Sequence, residues 1–307
     1  MAIYSIKDME KLSGIKAHTL RIWEQRYDLL QPKRTPTNIR YYEDADLKFL
    51  LNVALLNKNG YRVSKISKMS ADEITEKVAE LSEVNQKHHT QLDALTLSML
   101  ELDEFKFDRI INANAEQIGF ERTMLEVIHP FLENLGPLWL TGSVHPIHEN
   151  FIGNLIQRKV VAATDKLPLR RQFSASKFFL YLPEGERQEL SLLFLAYLLR
   201  VRGFQVVYGG SEVSILDIKD VYRINKPDFI FTMITETFIQ EPVSSYLEQL
   251  RIEFPDVQIL LSGYQVVAQN VRSEKNIRVL NSLTETIAFL EHIKTQDSKT
   301  FEHSYGI

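Results

Sequence analysis

Apolar residues in the first sixty positions recur at spacings of three and four, which is the periodicity of amphipathic helices. Ser5 can cap a first helix, and Gly14 can end it with a tight turn. A second helix is predicted over about residues 18–27, with Leu20 and Trp23 on its inward face. A helix, a glycine turn and a second helix with outward-facing arginines are typical of a helix-turn-helix.

Residues 31–42 interrupt the helices with two prolines, an asparagine, three cations and two tyrosines. A loop or short ribbon is predicted here, because proline and asparagine favour turns. No acid occurs in residues 29–42, so this segment is locally basic. A further helix is predicted from Glu43 to about Lys58, with acids at its positive N-terminal end, and a short helix begins near Val63.

Residues 72–165 contain little that would end a helix, and groups of apolar residues within them predict four helices with short connections. The third of these helices is expected to end near Gly136 and Pro137, and the fourth to begin near Pro146. Four helices joined in this way form a bundle. Residues 164–176 then read as a linker.

From residue 177 the pattern changes to short apolar runs that alternate with helical segments. Strands are predicted over about residues 178–182, 204–208, 227–233, 257–261 and 277–280. Helices are predicted over about residues 186–202, 214–224, 241–253 and 283–293, with a short one near Tyr264 and a frayed polar tail from Lys294. Alternation of strands and helices is typical of a doubly wound parallel sheet.

Charge is distributed unevenly along the 307 residues. Residues 1–68 carry 13 Lys and Arg against 7 Asp and Glu, whereas the whole chain has a net charge of −4. A basic end on an acidic body predicts contact of that end with a polyanion. The absence of cysteine excludes disulfides, thiol nucleophiles and cysteine-ligated zinc. The longest apolar run, residues 190–199, is too short for a membrane span, so a cytoplasmic protein without a membrane partner is expected.

The N-terminal region resembles the MerR family of transcription regulators over about residues 3–70. The matching positions, in the family's order, are residues 4–6, Gly14, and residues 19–24, 29–30, 40–42 and 46–47. Within them, the run Arg-Ile-Trp-Glu at residues 21–24 is similar to the branch that is fused to cobalamin-binding domains. The resemblance implies a winged helix-turn-helix, a homodimer or higher oligomer on DNA, and a near-palindromic promoter site.

Seven side chains in this region are candidates for DNA contact. Thr19 and Arg21 begin the predicted recognition helix, where side chains reach base edges. Arginines can neutralise phosphates, and tyrosine hydroxyls can donate to them. The candidates for phosphate contact are Arg26, Tyr27, Arg34, Arg40 and Tyr41. Alternatives stay open for some of them, because the tyrosines can be packing residues and Arg26 can pair with a nearby acid, Asp28 or Glu24.

Residues 90–295 resemble the cobalamin-binding module, in which a helical bundle covers the upper face of the corrin ring and a sheet domain supplies a histidine to the lower face. The module's sheet motif opens directly after its first strand with Glu or Asp, then His two positions later and Gly three positions after that. Glu186 matches the first position, Gln188 stands in place of the histidine, and Ser191 stands in place of the glycine. Thr232 and the pair Ser262-Gly263 take the places of later ligand-lining turns.

In its bundle the module has a tryptophan that precedes a Glu-His pair, and this chain has Trp139 followed at the same spacing by Glu149 and Asn150. Light-sensing members place a histidine directly after the tryptophan, where this chain has Leu140. A histidine nitrogen is a good ligand for cobalt, and a glutamine amide is a poor one. We therefore expect no metal site, and we expect that cobalamin, if it binds, is not held through a lower-face histidine.

Together these patterns predict a multidomain α and α/β protein. The predicted domains are a MerR-type winged helix-turn-helix over residues 1–75, a four-helix bundle over residues 76–168, and a doubly wound, flavodoxin-like, parallel five-stranded sheet over residues 177–296. The predicted function is regulation of transcription through double-stranded promoter DNA, with a small-molecule or protein effector left open and no catalytic grouping recognised. Two alternatives are a corrinoid-binding carrier or enzyme component, and a regulator whose body binds only a partner protein.

Overall fold

The computed structural model describes residues 3–34, 38, 40–84, 88–140, 145–168, 175–187, 189–235 and 243–305. The chain divides into two compact units, Met1–Leu155 and Ile156–Ile307. Across the described ranges, no helix combines the length and the apolar character that crossing a membrane requires.

A helix-turn-helix with a small sheet opens the N-terminal unit. Helix α1 (Ile6–Ser13) begins with a capping box. The Ser5 hydroxyl oxygen accepts from the Asp8 amide, and the Asp8 carboxylate accepts from the Ser5 amide. Gly14 ends α1 in the left-handed conformation at φ 70°, and α2 (Ala17–Tyr27) follows. The antiparallel sheet has the strand order β1 (Ile3–Tyr4), β3 (Arg40–Glu43), β2 (Lys33–Arg34). The predicted ribbon is therefore a hairpin wing of β2 and β3.

Helices make up the rest of this unit. They are α3 (Asp44–Lys58), α4 (Val63–Ile66), α5 (Ala71–Val84), α6 (His88–Glu101), α7 (Glu104–Ile118), α8 (Phe120–Thr123), α9 (His129–Leu140) and α10 (Pro146–Asp165), of which α10 continues across the division between the units. A π-helical turn, Met124–Ile128, joins α8 to α9. Helix α9 runs past its predicted end at Gly136 and Pro137, although an interior proline disfavours a helix.

An ion pair links the N-terminal helix-turn-helix and its wing, here called the head, to the helices that follow. Lys58 Nζ at the end of α3 donates to Asp93 Oδ2 of α6 at 2.6 Å, and the Asp93 side chain is nearly buried. A charge-assisted hydrogen bond of this kind is stronger where water is excluded. The head and the helices after it accordingly fall into one compact unit. Phe105 on α7 is 72% exposed.

Five parallel strands form the sheet of the C-terminal unit. They are β4 (Lys177–Pro183), β5 (Gln205–Val213), β6 (Phe229–Met233), β7 (Gln258–Ser262) and β8 (Ile277–Val279). Their order across the sheet is β5-β4-β6-β7-β8, with parallel pairing throughout. This is the flavodoxin-like order, which places the carboxyl ends of all five strands at one edge, where doubly wound folds bind ligands. The fold class predicted from the sequence is confirmed.

The helices of this unit are α11 (Leu190–Val201), α12 (Ile215–Asn225), α13 (Val243–Glu253), α14 (Tyr264–Ala268) and α15 (Leu283–Tyr305). Two of them differ from the prediction. Helix α11 begins four residues later than Glu186, because the turn after β4 uses those residues for its own contacts. Helix α15 continues through the expected frayed tail, and Asp297 within it accepts hydrogen bonds from both the amide and the hydroxyl of Ser176 at 2.8 Å.

Apolar side chains cover both faces of the sheet. On one face, Phe178 stacks on Phe229 at 4.6 Å between ring centroids, and Phe289 of α15 meets Phe229 edge-on at 5.9 Å. On the other face, Phe179 and Tyr181 join a buried cluster with residues of α12 and α13. Because both faces of the sheet are buried, each strand is a nearly continuous run of apolar residues in the sequence. This explains why the positions of the five strands could be predicted from apolar runs.

Candidate nucleic-acid interface and strand-end site

The outward face of α2 carries side chains that are free of the core. Leu20 and Trp23 are buried, whereas Arg21, Gln25 and Arg26 are exposed. Ile22, beside Arg21, is 48% exposed. Sequence reasoning passed over Ile22 and Gln25, although Gln25 lies four residues after Arg21 and three after Ile22 and is therefore a neighbour of both on the helix surface. Apolar and amide side chains are both used in reading base edges.

Thr19 lies at the start of α2 and is half-buried, with its hydroxyl 3.3 Å from Nε2 of His18. Helix α2 has no side-chain cap from its own N-terminal residue. Glu10 of α1 takes that place, because one carboxylate oxygen accepts from Lys16 Nζ at 3.0 Å and the other accepts from the Ala17 amide at 3.1 Å. The Lys16 ammonium, followed by the Ala17 amide, lowers the pKa of Glu10. Glu10 thereby fixes where the second helix starts.

The wing presents a second set of cations. Arg34 is exposed on β2, and its Nη1 donates to Asn38 Oδ1 at 2.7 Å. Lys33 pairs with Glu43 at 2.6 Å across the hairpin, and this contact raises the pKa of Lys33. Tyr41 lies opposite Lys33 in the strand register and is half-buried. The candidates for phosphate contact on the wing are thus on the solvent side of the hairpin or at its edge.

Glu24 ties the recognition helix to the wing. The hydroxyl of Tyr42, which is fully buried, donates to Oε1 of Glu24, and Arg40 Nε lies 3.5 Å from Oε2. Burial raises the pKa of Tyr42, and the bond to Glu24 raises it further. The sequence had offered Glu24 as a partner of Arg26, but Arg26 lies over the ring of Tyr27 at 5.6 Å from its centroid. Glu24 therefore orients Arg40, while Arg26 stays on the solvent face.

At the carboxyl ends of the strands, Glu186 occupies a buried position in the turn after β4. Its side chain is 2% exposed, and Oε1 accepts from the amide of Thr235, just beyond β6, at 2.5 Å. Ser191 is exposed in the first turn of α11. Gln188 lies outside the described residues. The acid matched by the cobalamin-module motif thus connects the ends of two neighbouring strands.

Two further carboxylates hold the same turn against β5. Glu189 accepts from the Tyr208 hydroxyl at 2.8 Å and from the Ser211 hydroxyl at 2.6 Å. Glu212 accepts from the Gly185 amide at 2.9 Å and from Arg187 Nε at 2.9 Å. The Gly185 amide and then Arg187 lower the pKa of Glu212. Sequence reasoning missed these contacts, because nothing local in the chain indicates which residues of β5 lie beside the turn.

Gly263, predicted as a ligand-lining residue, has a tight structural contact. It has φ 116° and ψ 163°, and a Cβ built there would lie 2.2 Å from the carbonyl oxygen of Ile234. Ile234 in turn donates to the Ser262 carbonyl at 2.9 Å and accepts from the Gln265 amide at 3.1 Å. The turns after β6 and β7 are thus joined backbone to backbone, in an arrangement that only a glycine allows.

Buried hydroxyls lie just below these turns. The hydroxyls of Tyr181 and Tyr246 are 2.7 Å apart, and Thr232 beside them is fully buried. Burial raises the pKa of both tyrosines. Thr232, one of the strand-end residues predicted from the resemblance, is therefore buried beside the two tyrosine hydroxyls.

The bundle candidates belong to the N-terminal unit. Glu149 is half-buried and Asn150 is exposed, both in the first turns of α10, and the side chain of Trp139 lies outside the described part of the chain. His148 is buried and its ring is 6.2 Å from that of His145. In the part of the chain that the structure describes, no group of three or more His, Asp or Glu is placed to hold a metal ion.

The sequence is similar to a family of transcription regulators and to individual members of it. Residues 4–73 match the family described as MerR HTH family regulatory protein. The chain is similar to the HTH-type transcriptional repressor CarH of Myxococcus xanthus, with 24% identity over 259 residues that cover 82% of this chain and 85% of that one. It is also similar to the HTH-type transcriptional repressor CarA of Myxococcus xanthus, with 21% identity over 280 residues, or 91% of this chain and 90% of that one.

Among solved structures, the chain is similar to a novel cobalamin-binding protein from Desulfitobacterium hafniense DCB-2. The TM-score is 0.36 and the identity 16%, over 66% of this chain and 98% of that chain. The winged helix-turn-helix and the regulator relatives together define a transcription regulator of the MerR type. The resemblance stated from the sequence is thereby confirmed for the regulator, and its body has the doubly wound order that the cobalamin module implies.

Proposed function

We propose that this regulator binds near-palindromic promoter DNA with α2 in the major groove and the β2–β3 wing beside the phosphate backbone. The observation that carries the proposal is the solvent face of α2, on which Arg21, Ile22, Gln25 and Arg26 are all exposed. A helix presenting such a row has the length and chemistry to read bases. Such a reading would place the protein in the cytoplasm, where promoter DNA is accessible.

The proposal assigns different roles to the seven candidates. Thr19 and Arg21 read base edges, because they lie at the N-terminal end of α2 that enters the groove. The other five, which are Arg26, Tyr27, Arg34, Arg40 and Tyr41, contact phosphates and set the register. One helix-turn-helix reads only a half-site, so the bound form is at least a symmetric dimer.

Replacing Arg21 by alanine tests the base-reading role. We expect Arg21→Ala to weaken binding to the operator by about 1–3 kcal/mol and to relax its sequence preference. We expect Arg40→Ala to weaken binding to all duplexes to a similar extent, because a phosphate contact carries no sequence information. Fluorescence anisotropy with operator and scrambled duplexes at several salt concentrations measures both effects, and wild-type affinity should fall steeply with salt.

Arg122→Ala is the matched control. Arg122 is an exposed arginine of the same unit that already pairs with Glu126 at 2.7 Å on the surface of the helices. Its removal changes the net charge by the same amount and should leave affinity and specificity unchanged. A DNA affinity that does not change with salt concentration would contradict the proposed interface. An equal loss of affinity in Arg21→Ala and Arg122→Ala would also contradict it.

For the body, we propose a role as effector or oligomerisation domain without histidine-ligated cobalamin. The donor set does not fit such a cofactor, because the chain has no histidine between His148 and His292. Among the described residues of the turn after β4, Glu186 is buried, and its carboxylate already accepts the Thr235 amide. A corrinoid carrier or enzyme component would need the missing imidazole, and its function would not require a helix that reads DNA. We therefore favour the regulator over this alternative and assign the chain no reaction of its own.

Titration with adenosylcobalamin tests this part of the proposal. We expect weak binding or none, a spectrum in which the cofactor keeps its own base on the metal, and no change in assembly or DNA binding after green light. The double change Gln188→His with Ser191→Gly should raise the affinity if the remaining site, including Trp139 and Glu149, suits a corrinoid. Tight binding to the wild-type chain with a base-displaced spectrum would overturn the assignment.

A further inference from the structure

The solvent face of α2 can be mapped from the buried side of the helix. Successive residues of an α-helix are about 100° apart around its axis, and the buried Leu20 and Trp23 mark the side that meets the core. Gln25 lies within about 10° of the opposite, outward direction. Arg21 and Ile22 lie about 50° to either side of it. All three are exposed, so a helix lying in a groove presents them to the groove floor.

Two of these three side chains carry no charge. Arg26, by contrast, lies about 90° from the outward direction, on the side that faces a wall of the groove, where the phosphates are. An aliphatic side chain gains nothing from a phosphate, because it displaces water from the charge and offers no hydrogen bond in return. The uncharged centre formed by Ile22 and Gln25 therefore suits contact with bases and does not suit contact with the sugar–phosphate backbone.

Ile22 has an apolar counterpart on DNA. The major-groove edges of the bases carry hydrogen-bond donors and acceptors, and thymine alone adds a methyl group. An isoleucine side chain can neither donate nor accept, so the methyl group is the base feature that it can recognise. We propose that Ile22 contacts a thymine methyl group and is a specificity-determining residue of this regulator. The inference rests on the proposed function, because it requires α2 to lie in the major groove.

The neighbours of Ile22 locate the thymine within the half-site. Arg21 and Ile22 are consecutive and lie on opposite sides of the outward direction, so their side chains reach the same base pair or neighbouring ones. Arginine in the major groove recognises guanine through O6 and N7. Each half-site should therefore have a thymine in, or next to, the base pair that Arg21 reads.

Removal of one methyl group from the DNA tests the contact. Full-length protein selects an operator from a random duplex library, and each thymine of one half-site is then replaced in turn by deoxyuridine, which lacks only the methyl group. We expect one of these replacements to weaken wild-type binding about fourfold, the value for one buried methyl-sized group. Ile22→Ala should bind the thymine and deoxyuridine duplexes with equal affinity. Fluorescence anisotropy at matched salt measures all four affinities.

Two variants serve as controls. Arg40→Ala should weaken binding but keep the fourfold preference for thymine, which shows that weak binding alone does not remove the preference. Ile147 of α10 is an isoleucine of similar exposure, at 50% against 48% for Ile22. Ile147→Ala should change neither the affinity nor the preference. Circular dichroism checks that each variant is folded.

The possible failures of this inference and of the proposed function are distinguishable. Wild-type affinity that no deoxyuridine changes, or a thymine preference that persists in Ile22→Ala, would refute the role of Ile22 and leave DNA binding by α2 intact. Equal wild-type affinity for the selected duplex and for a scrambled one would instead refute the proposed function, and the role of Ile22 with it.

Discussion

Gly263→Ala is expected to destabilise the sheet domain by about 4 kcal/mol or more. Gly263 has φ 116° and ψ 163°, a backbone region that other residues adopt only with about 1–3 kcal/mol of strain. The added methyl group would also lie 2.2 Å from the Ile234 carbonyl oxygen, which is backbone and has no rotamer through which to move away. Relief of that overlap requires the turns after β6 and β7 to separate, with loss of the hydrogen bonds that join them.

Gly119→Ala is the control that isolates the strain from the overlap. Gly119 has φ 83° and ψ 154°, a similar backbone conformation, but nothing lies within 4 Å of the position that its Cβ would take. It should cost about 1–3 kcal/mol. Hydrogen–deuterium exchange of the β6 and β7 amides, and of the α7 and α8 amides for the control, measures local stability in each unit. Equal losses for both variants would mean that the close approach at Ile234 contributes nothing.

The sheet could be predicted from the sequence because its strands are buried on both faces. Continuous apolar runs such as residues 178–182 and 257–261, with helical segments between them, are typical of strands in a parallel sheet. The capping box at Ser5 and the left-handed Gly14 were also predictable, because a cap depends on residues within one turn of each other. Local patterns therefore predicted the element types, the doubly wound class of the sheet and the face of α2 that meets solvent.

Element ends and side-chain partners were harder to predict, because they depend on residues that are distant in the chain. Asp297, in the polar segment where α15 continues, accepts two hydrogen bonds from Ser176, which is 121 positions away. The sequence offered Glu24 only as an alternative partner of Arg26, whereas the structure brings Arg40 of the wing beside it. Glu189 and Glu212 act on a turn that only the folded sheet places next to β5.

The site positions taken from the cobalamin module stay predictions as ligand contacts. Glu186, Thr232, Ser262 and Gly263 all lie at the carboxyl edge of the sheet, as the strand pattern requires. Glu186 accepts the Thr235 amide and Gly263 permits the close approach to Ile234, and these structural roles account for the two residue types without a ligand. The titration with adenosylcobalamin and the Gln188→His variant separate a structural role from a ligand-binding role, because a structural role predicts no gain in affinity.

Glu24→Ala is expected to loosen the wing and to weaken operator binding, although it makes the protein more positive. Removal of the carboxylate leaves the fully buried Tyr42 hydroxyl without its acceptor and takes the ionic partner from Arg40. Loss of a charge-assisted bond to a buried group costs about 2–3 kcal/mol. A purely electrostatic account of DNA binding predicts tighter binding after loss of an acid, whereas positioning of Arg40 by Glu24 predicts weaker binding to every duplex.

The matched variant is Glu24→Gln, which keeps an acceptor for Tyr42 and removes only the charge. It should cost about 1 kcal/mol of stability and leave the wing in place. In a Trp139→Phe background, the buried Trp23 of α2 is the single tryptophan and reports unfolding of the helix-turn-helix by fluorescence. Anisotropy at matched salt measures the affinity. Glu24→Ala could instead bind DNA more tightly than wild type, with the helix-turn-helix unfolding at the same denaturant concentration as reported by Trp23 fluorescence. That result would mean that Glu24 has no positioning role and that Arg40 acts through its charge alone.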